Sequence, residues 1–156
     1  MKKIFLILLL TFSSLSAEEV SAKVVYDLTT KDLANFELKI LKAIVANKTY
    51  YEGKLRELDV TVVIHGGAYR FFAIDPSKNP FFKEDEALIK NYKTLAKRIK
   101  TMSDTYDVEF LMCGVGMEKK KLTKEDIYSF VSVIPNSTIG LIDRQNEGYA
   151  YIPLGD

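Results

Sequence analysis

Residues 58–67, Leu58-Asp59-Val60-Thr61-Val62-Val63-Ile64-His65-Gly66-Gly67, form a β-branched run that stops at two glycines. Val62, Val63 and Ile64 are consecutive, so neither side of the extended chain is polar. Such a strand is covered on both faces, as in a parallel sheet. Parallel strands need long crossovers, so helices are expected on either side of it in the chain.

Those helices are legible in the periodicity. Before the run, Leu33, Phe36, Ile40, Leu41, Ile44 and Val45 recur at helical spacing, and the spacing predicts a helix ending near Asn47. Thr29 and Asp32 stand three apart before it, as in a capping box, and Tyr50 to Gly53 read as the connection after it. After the run, 68–74 reads as a short helix and Asp75-Pro76-Ser77-Lys78-Asn79-Pro80 as a surface loop. Leu88, Tyr92, Leu95, Ile99 and Met102 then form one apolar stripe over 84–102. Its acidic start (Glu84, Asp85, Glu86) and basic end (Lys97, Arg98, Lys100) suit the helix dipole.

Further strands are expected at 23–29, 107–112, 130–134 and 149–152. Thr123 and Asp126 predict a short helix from Lys124, and 137–146 reads as a last helix stopped by Gly148. Strand and helix therefore alternate through the chain. This is the pattern of an α/β fold, a mainly parallel sheet of five strands with helices on both faces.

The first 17 residues have a different character. Met1-Lys2-Lys3, an apolar run from Ile4 to Leu10 and the small residues up to Ala17 describe a secretory signal peptide. The apolar run is too short to span a bilayer as a mature helix. The expectation is a signal peptide over 1–17, one domain over 18–156, and a periplasmic or secreted protein with no stable membrane anchor after cleavage. Loss of Lys2 and Lys3 turns the formal charge of +1 into −1. So even a balance argues against nucleic acid as the main partner.

The chain has one cysteine and one histidine. In an open parallel sheet, ligands bind beyond the carboxyl ends of the strands. His65-Gly66-Gly67 ends the second strand and Cys113-Gly114 the third, so both stand on that rim. Gly114 and Gly116 let the backbone turn its N–H groups inward, and Lys119, Lys120 and Lys121 add positive charge in sequence. Such surroundings favour a thiolate, the nucleophilic form. The plain alternatives stand beside this: a cysteine packed as a small hydrophobe, a histidine bonded to a loop carbonyl, a solvated lysine loop. Tyr149 and Tyr151 read as sheet packing.

Other chemistries find no support. Gly114-Val115-Gly116 lacks the third glycine of a dinucleotide fingerprint, and there is no phosphate loop and no G-x-S-x-G. One histidine and one cysteine are too few for a typical zinc site. Neither a metal nor a cofactor is expected.

Four segments resemble the DsrE/DsrF-like proteins, in particular a small exported branch. They are Lys23 to Leu28, Val62 to Gly67, Val108 to Gly114, and Glu147-Gly148-Tyr149-Ala150-Tyr151-Ile152. The resemblance implies a three-layer α/β/α domain assembled as a homo-oligomer, a trimer or hexamer. It also implies a sulfur carrier of the relay type, holding sulfane sulfur as a persulfide on Cys113. His65, Gly66, Gly67 and Gly114 would then contact the substrate, with a sulfur donor and an acceptor thiol as partners. The export signal departs from the cytoplasmic relay pattern, whose partners would not be available outside the inner membrane. A non-catalytic oligomeric binding or scaffold protein, with Cys113 buried as packing, is the alternative. A redox sensor joining subunits through Cys113 is the third reading.

Overall fold

Five parallel strands pair in the order β4-β3-β2-β1-β5. They are β1 (Ala22–Leu28), β2 (Leu58–Ile64), β3 (Val108–Cys113), β4 (Val131–Ile134) and β5 (Ala150–Leu154). The computed structural model describes residues 21–156; the expected signal peptide lies outside the described residues.

Strand order explains how the layers are filled. From β1 through β4 the chain steps across the sheet in one direction, and right-handed crossovers then put their connections on one face. That face carries α1 (Leu33–Phe36), which continues through a π-helical segment, Glu37–Lys42, into α2 (Ala43–Glu52). It also carries the 3-10 segment Ala68–Phe72 and α3 (Glu86–Asp104). From β4 the chain doubles back past β1, so α5 (Ser137–Asn146) falls on the opposite face. The fold is a three-layer α/β/α domain whose second outer layer is one helix.

The two cores differ accordingly. Even-numbered strand residues such as Tyr26, Leu28, Val62, Ile64, Phe110 and Met112 join Phe36, Ile40, Ile44, Leu88, Leu95 and Ile99 in the main cluster. The second cluster is small: Val25, Val63 and Leu111, with Ile134, Leu141 and Tyr149 against them. Around it the sheet face is polar, with Thr61 donating to Glu109 at 2.7 Å and Arg144 of α5 gripping Glu109 at 2.8 and 2.7 Å.

Several expectations are corrected. The first long helix runs on to Glu52 and ends at Gly53, so Tyr50, Tyr51 and Glu52 form its last turn. The wider π segment interrupts the period on which the shorter reading relied. Asp32, not Thr29, caps α1: its carboxylate accepts from the Asn35 amide at 2.6 Å, while the Thr29 hydroxyl goes to the Leu154 carbonyl. The 75–80 loop is not wholly at the surface, because Pro76 and Asn79 are buried and Asn79 donates to the Lys120 carbonyl. The Thr123–Asp126 capping box forms, yet it starts only the 3-10 turn Lys124–Asp126. Ile127 leaves that turn to bridge with Ala73 in antiparallel fashion, which pulls the backbone out of helical geometry.

Leu55 sits at φ 56° while its side chain is 85% exposed. A left-handed backbone strains any residue with a Cβ, and no burial offsets it here. Leu55→Gly is expected to stabilise the fold by about 0.5–1 kcal/mol, less than the full strain because glycine loosens the unfolded chain. An unchanged or lower urea midpoint contradicts this.

Candidate functional site

Cys113 is the last residue of β3 and the N-cap of α4 (Gly114–Lys119), with φ −68° and ψ 113°. The glycines after it therefore begin a six-residue helix rather than a loose turn. Cys113 pairs with Ile134 of β4 and itself packs in the main cluster, at a strand end that Ser137 of α5 also reaches. Only 6% of the residue is exposed.

The cover over the sulfur is polar. Burial alone pushes the thiol up, but hydrogen bonds from the Gly116 amide, the Tyr69 hydroxyl, and the Ser137 amide and hydroxyl outweigh it, and its pKa falls below the ordinary thiol value. Three separate elements supply these donors: α4, the 68–72 segment and the first residue of α5. Tyr69 is 2% exposed and its hydroxyl donates to the Cys113 carbonyl at 2.8 Å. With one proton to give, that hydroxyl serves either the carbonyl or the sulfur. Burial, the hydrogen bond to Cys113 and the thiolate charge all raise its pKa, so it remains a donor.

Gly116 makes this contact possible. A Cβ there would lie 1.8 Å from the Tyr69 hydroxyl oxygen. Gly114 is also confined, since its Cβ would lie 3.1 Å from the Ile134 carbonyl oxygen.

His65 continues the β2 ladder, its amide donating to the Leu28 carbonyl at 3.0 Å. Ile64 pairs with Met112, so His65 and Cys113 are the next residues on adjacent strands. The imidazole turns toward β1, where Nε2 lies 2.5 Å from Asp27 Oδ1. Tyr151 donates its hydroxyl to the other oxygen of that carboxylate at 2.6 Å. Gly66, at φ 59°, and Gly67 let this corner press on the loop after β1: the Gly67 amide reaches the Thr29 carbonyl at 2.8 Å, and a Cβ on Gly67 would lie 2.7 Å from that of Lys31.

A separate cavity of about 880 Å³ opens between α1, Arg70, the start of α3 and Asp156, away from Cys113 and His65. Arg70 is already engaged there with Asp85 at 2.7 Å. Among the described residues no cluster of three or more His, Cys, Asp or Glu is placed to hold a metal ion, and no helix is long and apolar enough to cross a membrane.

The model of the DsrE/DsrF-like family matches residues 23–154. This chain belongs to that family. An uncharacterized protein of Aquifex aeolicus is 30% identical over 156 residues, covering 99% of this chain. The chain spans 64% of that relative's length. A solved structure of a protein of unknown function from Methanobacterium thermoautotrophicum has the same fold, with a TM-score of 0.58 at 17% identity over 85% of this chain and 99% of that one.

Of the sulfur's donors in this DsrE/DsrF-like domain, the Gly116 amide is anticipated in the sequence, whereas Tyr69 and Ser137 are not. Tyr69 and Ser137 lie 44 residues before and 24 after Cys113 and share no local motif with it. Asp27 did leave a signal: it is the one carboxylate in the otherwise apolar strand Val24-Val25-Tyr26-Asp27-Leu28. Tyr151 was read as packing but is 44% exposed and spends its hydroxyl on Asp27. Lys119, Lys120 and Lys121 fall at the far end of α4 from the thiol, with the Lys120 ammonium over the Phe81 ring.

Proposed function

We propose that this DsrE/DsrF-like protein is a sulfur carrier that holds sulfane sulfur as a persulfide on Cys113. The observation that carries the reading is the set of donors from Gly116, Tyr69 and Ser137 gathered on one buried sulfur. A small apolar packing residue needs no such set, whereas a thiolate and a persulfide anion do. Cys113 as thiolate attacks the outer sulfur of a donor R–S–SH. The new S–S bond gives Cys113–S–SH, the old S–S bond breaks, and its electron pair leaves with R–S⁻, which takes up the proton given up by Cys113. An acceptor thiolate reverses the exchange. His65, Gly66, Gly67 and Gly114 frame the rim where donor and acceptor would meet, with His65 moving the proton.

We further propose that the chain is exported by its first 17 residues and works as a homo-oligomer. The oligomer is supported by the thin α5 layer, on which Ile139 and Ile142 are exposed.

Intact mass after incubation with inorganic polysulfide tests the carrier role. One or more added sulfur atoms on the wild type and none on Cys113→Ala are expected. No addition to the wild type, or equal addition to the variant, ends the proposal. The 6% exposure of Cys113 favours the packing alternative. That alternative wins if a thiol reagent modifies the protein only after denaturation.

A further inference from the structure

Between the first long helix and α3 the outer layer leaves a groove of about 490 Å³. Leu41 and Met102, both buried, form its floor, with half-buried Val45 and Tyr106 beside them. Ala46 is exposed at its lip. Tyr106 stands two residues before β3, so the groove lies toward the amino ends of the strands, away from the rim that carries Cys113.

The polar groups left free in this groove are cationic. Lys42 lines it from the π-helical segment and Arg98 from α3, and no carboxylate lines it. The Thr101 hydroxyl, also there, is spent on the Lys97 carbonyl at 3.0 Å. Lys42 is exposed and enters no ion pair among the described residues. Arg98 engages Glu37 through Nη1, and a guanidinium has further N–H groups to offer a second carboxylate. The larger cavity of about 880 Å³ has the opposite character, with Asp32, Glu37, Asp85 and Asp156 against Lys31 and Arg70. The Glu37–Arg98 pair stands between the two, since Glu37 lines one and Arg98 the other.

The local backbone is unusual at the same place. Glu37–Lys42 is π-helical, and Lys42 closes the segment at φ −111°, off the helical value. Short π-helical interruptions of an α-helix recur at functional sites.

We infer that this groove binds an amphiphilic carboxylate, a single aliphatic chain ending in a carboxyl group, of the fatty-acid type. The chain lies on Leu41, Val45, Met102 and Tyr106, and the carboxylate sits between Lys42 and Arg98. Its volume is in the range of small-molecule sites, which are mostly apolar with a few placed polar groups. An uncharged head would leave the two cations unmatched, and a cationic one would be repelled. Binding is non-covalent and does not depend on the chemistry at Cys113.

Amide shifts of the ¹⁵N-labelled full chain, titrated with dodecanoate below its micelle concentration, test this. Saturable shifts over residues 41–46 and 98–106 are expected, weaker ones with dodecanol, and none there with dodecyltrimethylammonium. Lys42→Glu should weaken dodecanoate binding about tenfold, as an exposed ion pair is lost and a repulsion gained. Ala46→Trp fills the lip at an exposed helical position, keeps the fold by circular dichroism, and should abolish the saturable shifts. No shifts in these two segments, equal shifts with the cationic amphiphile, or unchanged binding in both variants overturns the inference.

Discussion

Gly116→Ala is expected to cost both stability and thiol reactivity. Its Cβ would stand 1.8 Å from the Tyr69 hydroxyl oxygen and 2.4 Å from the ring carbon that bears it. Tyr69 is 2% exposed and packed in the main cluster, so the ring has nowhere to retreat. Overpacking of this kind costs about 1–3 kcal/mol, more than alanine gains over glycine in a six-residue helix. Displacing Tyr69 also removes one of the bonds that keep the Cys113 thiol below its ordinary pKa. A hydrogen bond to a charged group is worth about 1.5–3 kcal/mol, so the thiolate fraction near neutrality, and with it the alkylation rate, should fall roughly tenfold. The sign with pH follows. A lowered folded-state pKa stabilises the fold above the unfolded thiol value, and this is lost as pH falls through the folded value. The stability gap between wild type and variant should therefore widen as pH rises. A variant alkylated at the wild-type rate would show that Tyr69 does not act on the sulfur.

Phe36→Ala should have the larger effect on stability alone. Phe36 is fully buried, stacks on Phe71 with centroids 4.4 Å apart and meets Phe72 edge-on at 5.9 Å. Truncating a buried phenylalanine costs about 3–5 kcal/mol through lost transfer energy and the cavity left behind. The cost should fall near the top of that range, because two ring contacts go with it. Phe71 and Phe72 share the 68–72 segment with Tyr69, so the cavity also loosens the support of the thiol's donor. A loss below about 1.5 kcal/mol in urea denaturation would mean that the neighbours collapse into the gap.

Local sequence was most informative where one residue type decides the geometry. Ser137–Asn146 is helical as read, because Asn136 caps it on the Ile139 amide and Gly148, at φ 89°, ends the turn after it. β2 is buried along its length because consecutive β-branched residues suit no other environment. Apart from the helix end misjudged across the π-helical segment, the readings that missed depended on partners distant in the chain. Thr123 and Asp126 made their capping box and still yielded no α-helix, because Ala73, some fifty residues earlier, takes Ile127. Pro153 lies inside a strand because β5 is an edge strand, where a missing amide is tolerated.

The candidate site divides along the same line. Cys113 and His65 are visible as the single nucleophile and the single imidazole at the ends of two strands, since side-chain chemistry and the strand-end rule are both local. What surrounds them is not. Tyr69 and Ser137 reach the sulfur, and Asp27 and Tyr151 reach the imidazole, only because β1 lies between β2 and β5 and the β4–β5 connection crosses the other face. By itself the sequence determined an alternating α/β chain and the two reactive side chains. Tertiary structure alone decided their hydrogen-bond partners, because strand order brings together residues whose separation along the chain carries no periodic trace.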